Sequence, residues 1–142
     1  MTTKPTADEM FQFIGAVFEA ARSDEAIVER MNGVQGTMKV LTTDPDGVLI
    51  IDMAAKEARE GSADETADAT LKMSTTAANL FWQGELNMLA AMTRGLVKVQ
   101  GKKSLIVRAL PIATKMFPIY IRVVADAGRA DLLVKKPGPA MS

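Results

Sequence analysis

Apolar residues recur at helical spacing near the start of the chain and switch to alternation by residue 34. Met10, Phe11, Ile14, Val17, Phe18 and Ala21 fall three or four apart, behind Asp8 and Glu9, and predict an amphipathic helix over residues 8–21. A second short helix is expected over residues 24–31, with Ser23 as its cap and Asn32-Gly33 as its end. From Val34 the period becomes two. Val34, Gly36, Met38 and Val40 alternate with Gln35, Thr37, Lys39 and Leu41, the pattern of a half-buried strand. Asp44-Pro45-Asp46-Gly47 is a turn, since proline presets φ and Asp-Gly supplies the tight geometry. Residues 48–53 read as a strand apolar on both faces, so the two strands form a hairpin. Residues 54–60 have a helical composition, but Gly61-Ser62 stops them early, and a short third strand is expected there. After a polar loop, residues 68–73 alternate again with Ala69, Leu71 and Met73 on one face.

Residues 75–93 return to helical spacing through Ala77, Leu80, Phe81, Gly84, Met88, Ala91 and Met92, and Gly84 divides them into two short helices. Leu86, Leu89 and Ala90 make the second apolar nearly all round, which implies burial. Gly95 ends it, and Leu96, Val97 and Val99 form a last strand closed by Gly101. Residues 103–110 read as an apolar helix, after which Pro111 and Pro118 are expected to chop residues 112–125 into short pieces. Setting residues 54–60 aside, the order is helix, helix, three strands, two helices, strand, helices. This is an α+β pattern, an antiparallel sheet covered by helices. One domain is expected over residues 1–134, with a flexible tail over 135–142.

Composition narrows the function. Seventeen basic and seventeen acidic side chains cancel, which argues against a non-specific nucleic-acid binder, whose grip on phosphates needs excess positive charge. The chain has no cysteine and no histidine. It therefore lacks a disulfide framework, a thiolate nucleophile, the usual general base and the commonest metal ligands. Residues 1–8 carry no apolar signal core, no apolar run approaches the length of a bilayer span, and Pro139-Ala140-Met141-Ser142 is no peroxisomal address, so the cytosol is the expected location.

One stretch is specific. Asp68-Ala69-Thr70-Leu71-Lys72-Met73-Ser74 is followed by Phe81-Trp82-Gln83-Gly84-Glu85-Leu86-Asn87, then Ala91-Met92, then Gly95-Leu96-Val97-Lys98-Val99-Gln100-Gly101. This resembles the sterol-carrier-protein-2 family, in particular its stand-alone bacterial members, and the resemblance extends more weakly over residues 8–130. It implies a five-stranded, mostly antiparallel sheet with helices packed on it and an apolar tunnel between the two. It also implies binding and transfer of a sterol, fatty acid or fatty acyl-CoA, with no metal, no cofactor and no catalysis. A second reading is an accessory domain that dimerises, or presents a lipid or quinone-type substrate to a partner enzyme, with residues 118–134 as the interface.

The candidate cavity wall comprises Phe81, Trp82, Leu86, Met88, Leu89, Met92, Leu105, Leu110, Ile112, Met116, Phe117 and Ile121. Methionine and leucine re-pack easily around an apolar chain, but helical spacing alone cannot separate a tunnel wall from an ordinary core. Trp82 has a second reading, at the surface near a membrane. Gln83, Asn87, Gln100 and Tyr120 are the polar groups available to a ligand's head. Lys98, Lys102, Lys103, Arg108, Lys115 and Arg122 either face anionic headgroups or a CoA phosphate at a membrane surface, or form a solvated face. Gly101-Lys102-Lys103-Ser104 fails the spacing of a phosphate loop, and Asp44-Pro45-Asp46-Gly47 lacks the later ligands of a calcium loop. Asp64, Glu65 and Asp68 read as a solvated loop, with a divalent-cation site as the alternative. At roughly 0.8 kcal/mol per buried methylene, a sixteen-carbon tail gains on the order of 10 kcal/mol before ordering and association costs.

Overall fold

Thr6 opens the first helix with a reciprocal cap. In the computed structural model, which describes residues 4–134, the Thr6 hydroxyl accepts from the Glu9 N–H (3.1 Å) and the Glu9 carboxylate accepts from the Thr6 N–H (3.0 Å). Helix α1 (Ala7–Ala21) follows, with Met10, Phe13, Ile14, Val17 and Phe18 buried along one face. Helix α2 (Glu25–Asn32) is capped by Asp24 and not by Ser23. The Asp24 carboxylate accepts from the N–H groups of Ala26 and Ile27, adding a charge that complements the helix dipole where a hydroxyl would not.

Four strands then precede the next helix: β1 (Thr37–Thr43), β2 (Gly47–Asp52), β3 (Glu57–Glu60) and β4 (Ala69–Ser74). Residues 57–60 are thus a strand despite their helix-prone composition, because pairing with the edge of β2 outweighs local preference. Two helices, α3 (Thr75–Trp82) and α4 (Met88–Thr93), lead to β5 (Lys98–Gly101) and a long α5 (Lys103–Asp126), with a 3-10 turn at Ala130–Leu132. The five strands lie in the order β3-β2-β1-β4-β5. Only the central β1–β4 pair is parallel. The fold is the expected α+β class, with its five-stranded, mostly antiparallel sheet.

Alternation sends Met38, Val40 and Thr42 of β1, Leu49 and Ile51 of β2, and Ala69, Leu71 and Met73 of β4 to the helix side. The other face explains why β2 reads as apolar on both sides. Ile50 is buried under the loop after β3, and a Cβ placed on Gly61 would come within 2.4 Å of its side chain. Lys39 ties that loop down, its Nζ donating to the carbonyls of Ala63 and Glu65 at 2.8 Å each. Glu65 is no solvated acid: it pairs with Arg59 at 2.8 Å, and the Arg59 guanidinium together with the Ser62 N–H holds its carboxyl down to about 2. Asp68 is likewise structural. Its carboxylate accepts from the Thr37 N–H at 2.9 Å, and its carbonyl accepts from the Lys102 N–H at 2.9 Å, which joins β1, β4 and the start of α5. Gly101 turns beside it at φ 84°, where a Cβ would meet the Asp68 carbonyl at 2.4 Å.

Pro111 and Pro118 do not break the C-terminal helix. Both lie inside α5, on its exposed side. Each removes one backbone hydrogen bond, to Val107 and Thr114 respectively. Those two residues are also exposed, so water can satisfy the freed carbonyls and the helix continues. The continuous helix corrects a second expectation. It is long and apolar enough to cross a bilayer by length and composition. Its apolar side is the core face carrying Ile106, Ile112, Met116, Tyr120 and Val124, opposite exposed Arg108, Lys115 and Arg122, as in a core helix. Burial of α4 is also less complete than expected: Met88 and Ala91 are buried, but Leu89 is 50% exposed.

After α5 the chain folds back and is clasped to α1. Arg129 forms an ion pair with Glu9 and bonds the Asp131 carboxylate at 3.2 and 3.3 Å, and Leu132 and Leu133 are buried. The tail expected from residue 135 lies outside the described residues. Burial alone would raise the Glu9 carboxyl, but hydrogen bonds from the Thr6 backbone and Arg129 outweigh it and leave Glu9 below its ordinary value; Arg129 lowers Asp131 in the same way. Depressed carboxyls add stability above the ordinary range near roughly pH 4 and lose it as pH falls through their folded values. Acid titration of the wild type, followed by amide exchange at residues 129–134, should therefore show the clasp releasing with acid; in Arg129→Gln the segment should be loose already at neutral pH. In urea denaturation, Pro118→Ala should raise stability by on the order of 1–2 kcal/mol, the restored hydrogen bond outweighing the freer unfolded chain.

Candidate binding cavity

The longest helix covers the sheet largely without resting on it. Helix α1 lies over the β3 edge and α3 over β1 and β4. Helix α5 packs chiefly on α1, α2 and α3 and meets the sheet mainly along β4. Between α5 and the apolar sheet face lies an internal cavity of about 80 Å³. The floor is Met38, Val40, Thr42, Leu49, Ile51, Met53, Leu71 and Met73; the sides are Met10, Phe11, Ile14 and Phe18 of α1, with Ala78, Phe81, Trp82 and Met88; the roof is Ile106, Ala109, Leu110, Ile112, Ala113 and Met116 of α5. No lining side chain is ionisable. Apart from the Trp82 indole N–H, the one polar side chain is Thr42, whose hydroxyl lies 3.4 Å from the Gly47 carbonyl.

The expected tunnel is therefore a small cavity. Pockets that enclose a drug-sized ligand measure roughly 300–1,000 Å³, so a sixteen-carbon chain enters only if the walls move. The wall chemistry favours such movement. Six of the ten methionines, residues 10, 38, 53, 73, 88 and 116, meet here, and unbranched thioethers re-pack at low cost. Three alanines, residues 78, 109 and 113, also line the space and leave room where larger side chains would fill it.

Of the twelve apolar residues singled out in the sequence, Phe81, Trp82, Met88, Leu110, Ile112 and Met116 line the cavity. Leu105 is buried elsewhere, against Gly36. Phe117 stands behind the wall with its ring edge-on to Phe81 at 5.3 Å. Leu86, Met92 and Ile121 are half-buried outside the lining, and Leu89 faces solvent. Trp82 is no surface anchor: it is 7% exposed and packs against the rings of Phe18, Phe81, Phe117 and Tyr120. The contributions of α1 and of the strands were not singled out. The clustering of methionines in otherwise ordinary core positions is the signal that could have found them.

The polar groups considered for a ligand head are engaged in the fold. Tyr120, fully buried, donates to the Asn79 side-chain oxygen at 2.6 Å, and burial pushes its hydroxyl up. Asn79 and Gln83 both donate to the Leu132 carbonyl, at 3.0 and 2.9 Å, and the Val134 N–H donates to the Gln83 oxygen at 2.7 Å. Asn87 caps α4, and Gln100 is exposed on β5. Lys98, Lys102 and Lys103 are exposed around β5 and the start of α5, while Lys115 and Arg122 project from the solvent side of α5. Arg108 donates to the Gly33 carbonyl at 3.0 Å. None of the six cations lines the cavity.

The comparisons agree with this architecture. Residues 15–108 match the sequence model of the SCP-2 sterol transfer family. No curated protein sequence matches significantly. Among solved structures, the chain is similar to a conserved hypothetical protein of Thermus thermophilus (TM-score 0.66, 15% identity, all of both chains covered). It is also similar to the sterol carrier protein domain 2 of Helicoverpa armigera (TM-score 0.62, 18% identity, 82% of this chain and 96% of that one). A third likeness is to the sterol carrier protein 2 of Aedes aegypti in complex with the C16 fatty acid palmitate (TM-score 0.58, 25% identity, 80% of this chain and 96% of that one).

If the cavity wall is as soft as its composition implies, Met116→Leu should cost under about 1.5 kcal/mol in urea denaturation, a volume-conserving exchange. Met116→Ala should cost about 2–5 kcal/mol, because it removes a fully buried side chain from α5.

Proposed function

Because the chain belongs to the SCP-2 sterol transfer family, we propose that it is a non-catalytic lipid carrier that holds one long apolar chain between the sheet and α5. The observation that carries this reading is the methionine-rich, charge-free wall. Such a wall recognises length and flexibility and not a particular head group, which fits a fatty acid or acyl chain better than a ligand needing several polar contacts. The likeness to the Aedes aegypti carrier in its palmitate complex supports the same class. The lining holds no acid, base or nucleophile, so bound lipid would be stored or handed on and not transformed.

The ligand-contacting residues proposed are Phe81, Trp82, Met88, Leu110, Ile112 and Met116, joined by Met10, Met38, Met73, Ala109 and Ala113. Leu86, Leu89, Met92, Leu105, Phe117 and Ile121 stand outside the lining and would contact a chain only after the wall has moved.

Native mass spectrometry of the purified protein, with organic extraction and lipid analysis, tests the proposal. One lipid should be found per chain, or a fluorescent fatty acid should be taken up and displaced by palmitate. Ala113→Phe should weaken that uptake by about tenfold or more, by occupying the space from the roof, while its circular dichroism stays that of the wild type. A protein that stays empty, takes up neither fatty acid nor sterol, and copurifies with a stoichiometric protein partner would replace the carrier with the accessory domain.

A further inference from the structure

The cavity has no place for the charged end of a fatty acid. Its lining holds no ionisable side chain, and Thr42 and the Trp82 indole are its polar groups. A carboxylate is ionised at neutral pH and is strongly destabilised when buried without a partner. Only the tail belongs inside, and the head has to reach a cation or water at the surface.

A surface groove that adjoins the cavity carries cations. It lies where β4 runs on past Lys72, as Met73 and Ser74, without a partner in β5. Leu80, Leu86 and Leu96 form its apolar side, Lys72 and Lys98 its cationic side, and no carboxylate lines it. Its volume of about 500 Å³ is ample for a head group. Met73 is the one residue that lines both groove and cavity. Around it, consecutive residues divide between the two: Leu71 lines the cavity and Lys72 the groove, and Ala78 and Ala77 of α3 divide in the same way. Lys72 alternates to the face of β4 away from the cavity, so the way from one to the other runs past Met73, at the end of the strand.

Lys72 and Lys98 stand directly opposite each other across the β4–β5 ladder. Both are exposed, and among the described residues neither has a hydrogen-bond or ion-pair partner. Like charges so placed repel, and an anion between them replaces the repulsion with two attractions. Lysine on an edge strand also discourages pairing with other chains, which accounts for Lys98 but not for Lys72 on the interior strand β4. A second groove, between the start of α2 and α5, has Asp24, Glu25 and Asp126 against Arg122 and shares no residue with the cavity. That groove repels a carboxylate. Arg108, beside the roof, is already bonded to the Gly33 carbonyl.

We propose that the groove at the junction of β4 and α3 is a head-group subsite for a long-chain carboxylate. The tail passes Met73 into the cavity and the carboxylate stays between Lys72 and Lys98. The subsite rests on the lipid-carrier reading and sharpens it, since it assigns an anionic head to the ligand. Met73, the shared wall, is an unbranched thioether that swings aside at low cost.

Trp82, the chain's one tryptophan, lines the cavity and reports its occupancy by fluorescence. Laurate and 1-dodecanol, the same chain with and without a charge, are titrated against the wild type and its variants. The wild type should bind both, and raised salt should weaken laurate alone. Lys72→Glu/Lys98→Glu should weaken laurate by about fivefold or more and alter 1-dodecanol by less than about twofold, the alcohol showing that fold and cavity are intact. Lys72→Arg/Lys98→Arg should keep the wild-type affinities. In 15N-labelled protein, the amide shifts that differ between the two ligands should gather at residues 72–77 and 95–98. Equal weakening of both ligands, weakening of neither, or a selective loss of laurate in Arg108→Gln or Arg122→Glu instead would overturn the subsite and leave the carrier standing. A wild type whose Trp82 responds to neither ligand would overturn the carrier reading, and the subsite with it.

Discussion

The apolar face of a five-stranded sheet has to be removed from water, and here the longest helix does so at a distance. Helix α5 is supported by α1, α2 and α3 and touches the sheet mainly along β4. The layer between is filled by side chains alone. A helix lying directly on the sheet would interdigitate branched residues at crystal-like density. A bridged layer is instead filled by residues long enough to reach across it, and six of the ten methionines are placed there. The soft wall is thus a consequence of how the sheet is covered.

The ends of the bridge are fastened. At its start, Lys102 is bonded to the Asp68 carbonyl, and Asp68 is itself joined to β1. Toward its end, Tyr120 is bonded to Asn79, which with Gln83 holds the Leu132 carbonyl. Arg129 then reaches back to Glu9 at the head of α1. Tyr120, Asn79 and Gln83 are buried and partnered, and loosening any of these three would strand a desolvated group. The span between the fastenings carries Ala109, Ala113 and Met116 over the cavity, and Pro111 and Pro118 each delete a backbone hydrogen bond there. Compliance is concentrated over the space where it is needed.

Much of this was legible from periodicity. The spacing of Met10, Ile14, Val17 and Phe18, and the alternation of Ala69, Leu71 and Met73, mark core faces because burial is what periodicity reports. The stretch from Asp68 to Gly101 carried the family, since its glycines and Asp68 answer to backbone geometry and not to hydrophobicity. The short strand expected over residues 54–60 is present as Glu57 to Glu60, formed through its neighbour and not through its composition. Two features were hidden for physical reasons. The prolines of α5 are tolerated because they face water, and residue order alone does not reveal that face in a helix so apolar. The cavity lining draws on α1, three strands, α3, α4 and α5, and a periodic pattern has the same appearance whether the far side of a side chain meets another atom or empty space.

Methyl resonances report this most directly, because the methionines are divided between wall and elsewhere. With 13C-methyl-methionine protein titrated with palmitate, the account predicts that Met10, Met38, Met53, Met73, Met88 and Met116 shift together and saturate at one ligand per chain. Met31, buried on the inner face of α2 and outside the lining, should hold its position. Shifts confined to the half-buried Met92, or no saturable shift among the six, would contradict a chain held between the sheet and α5.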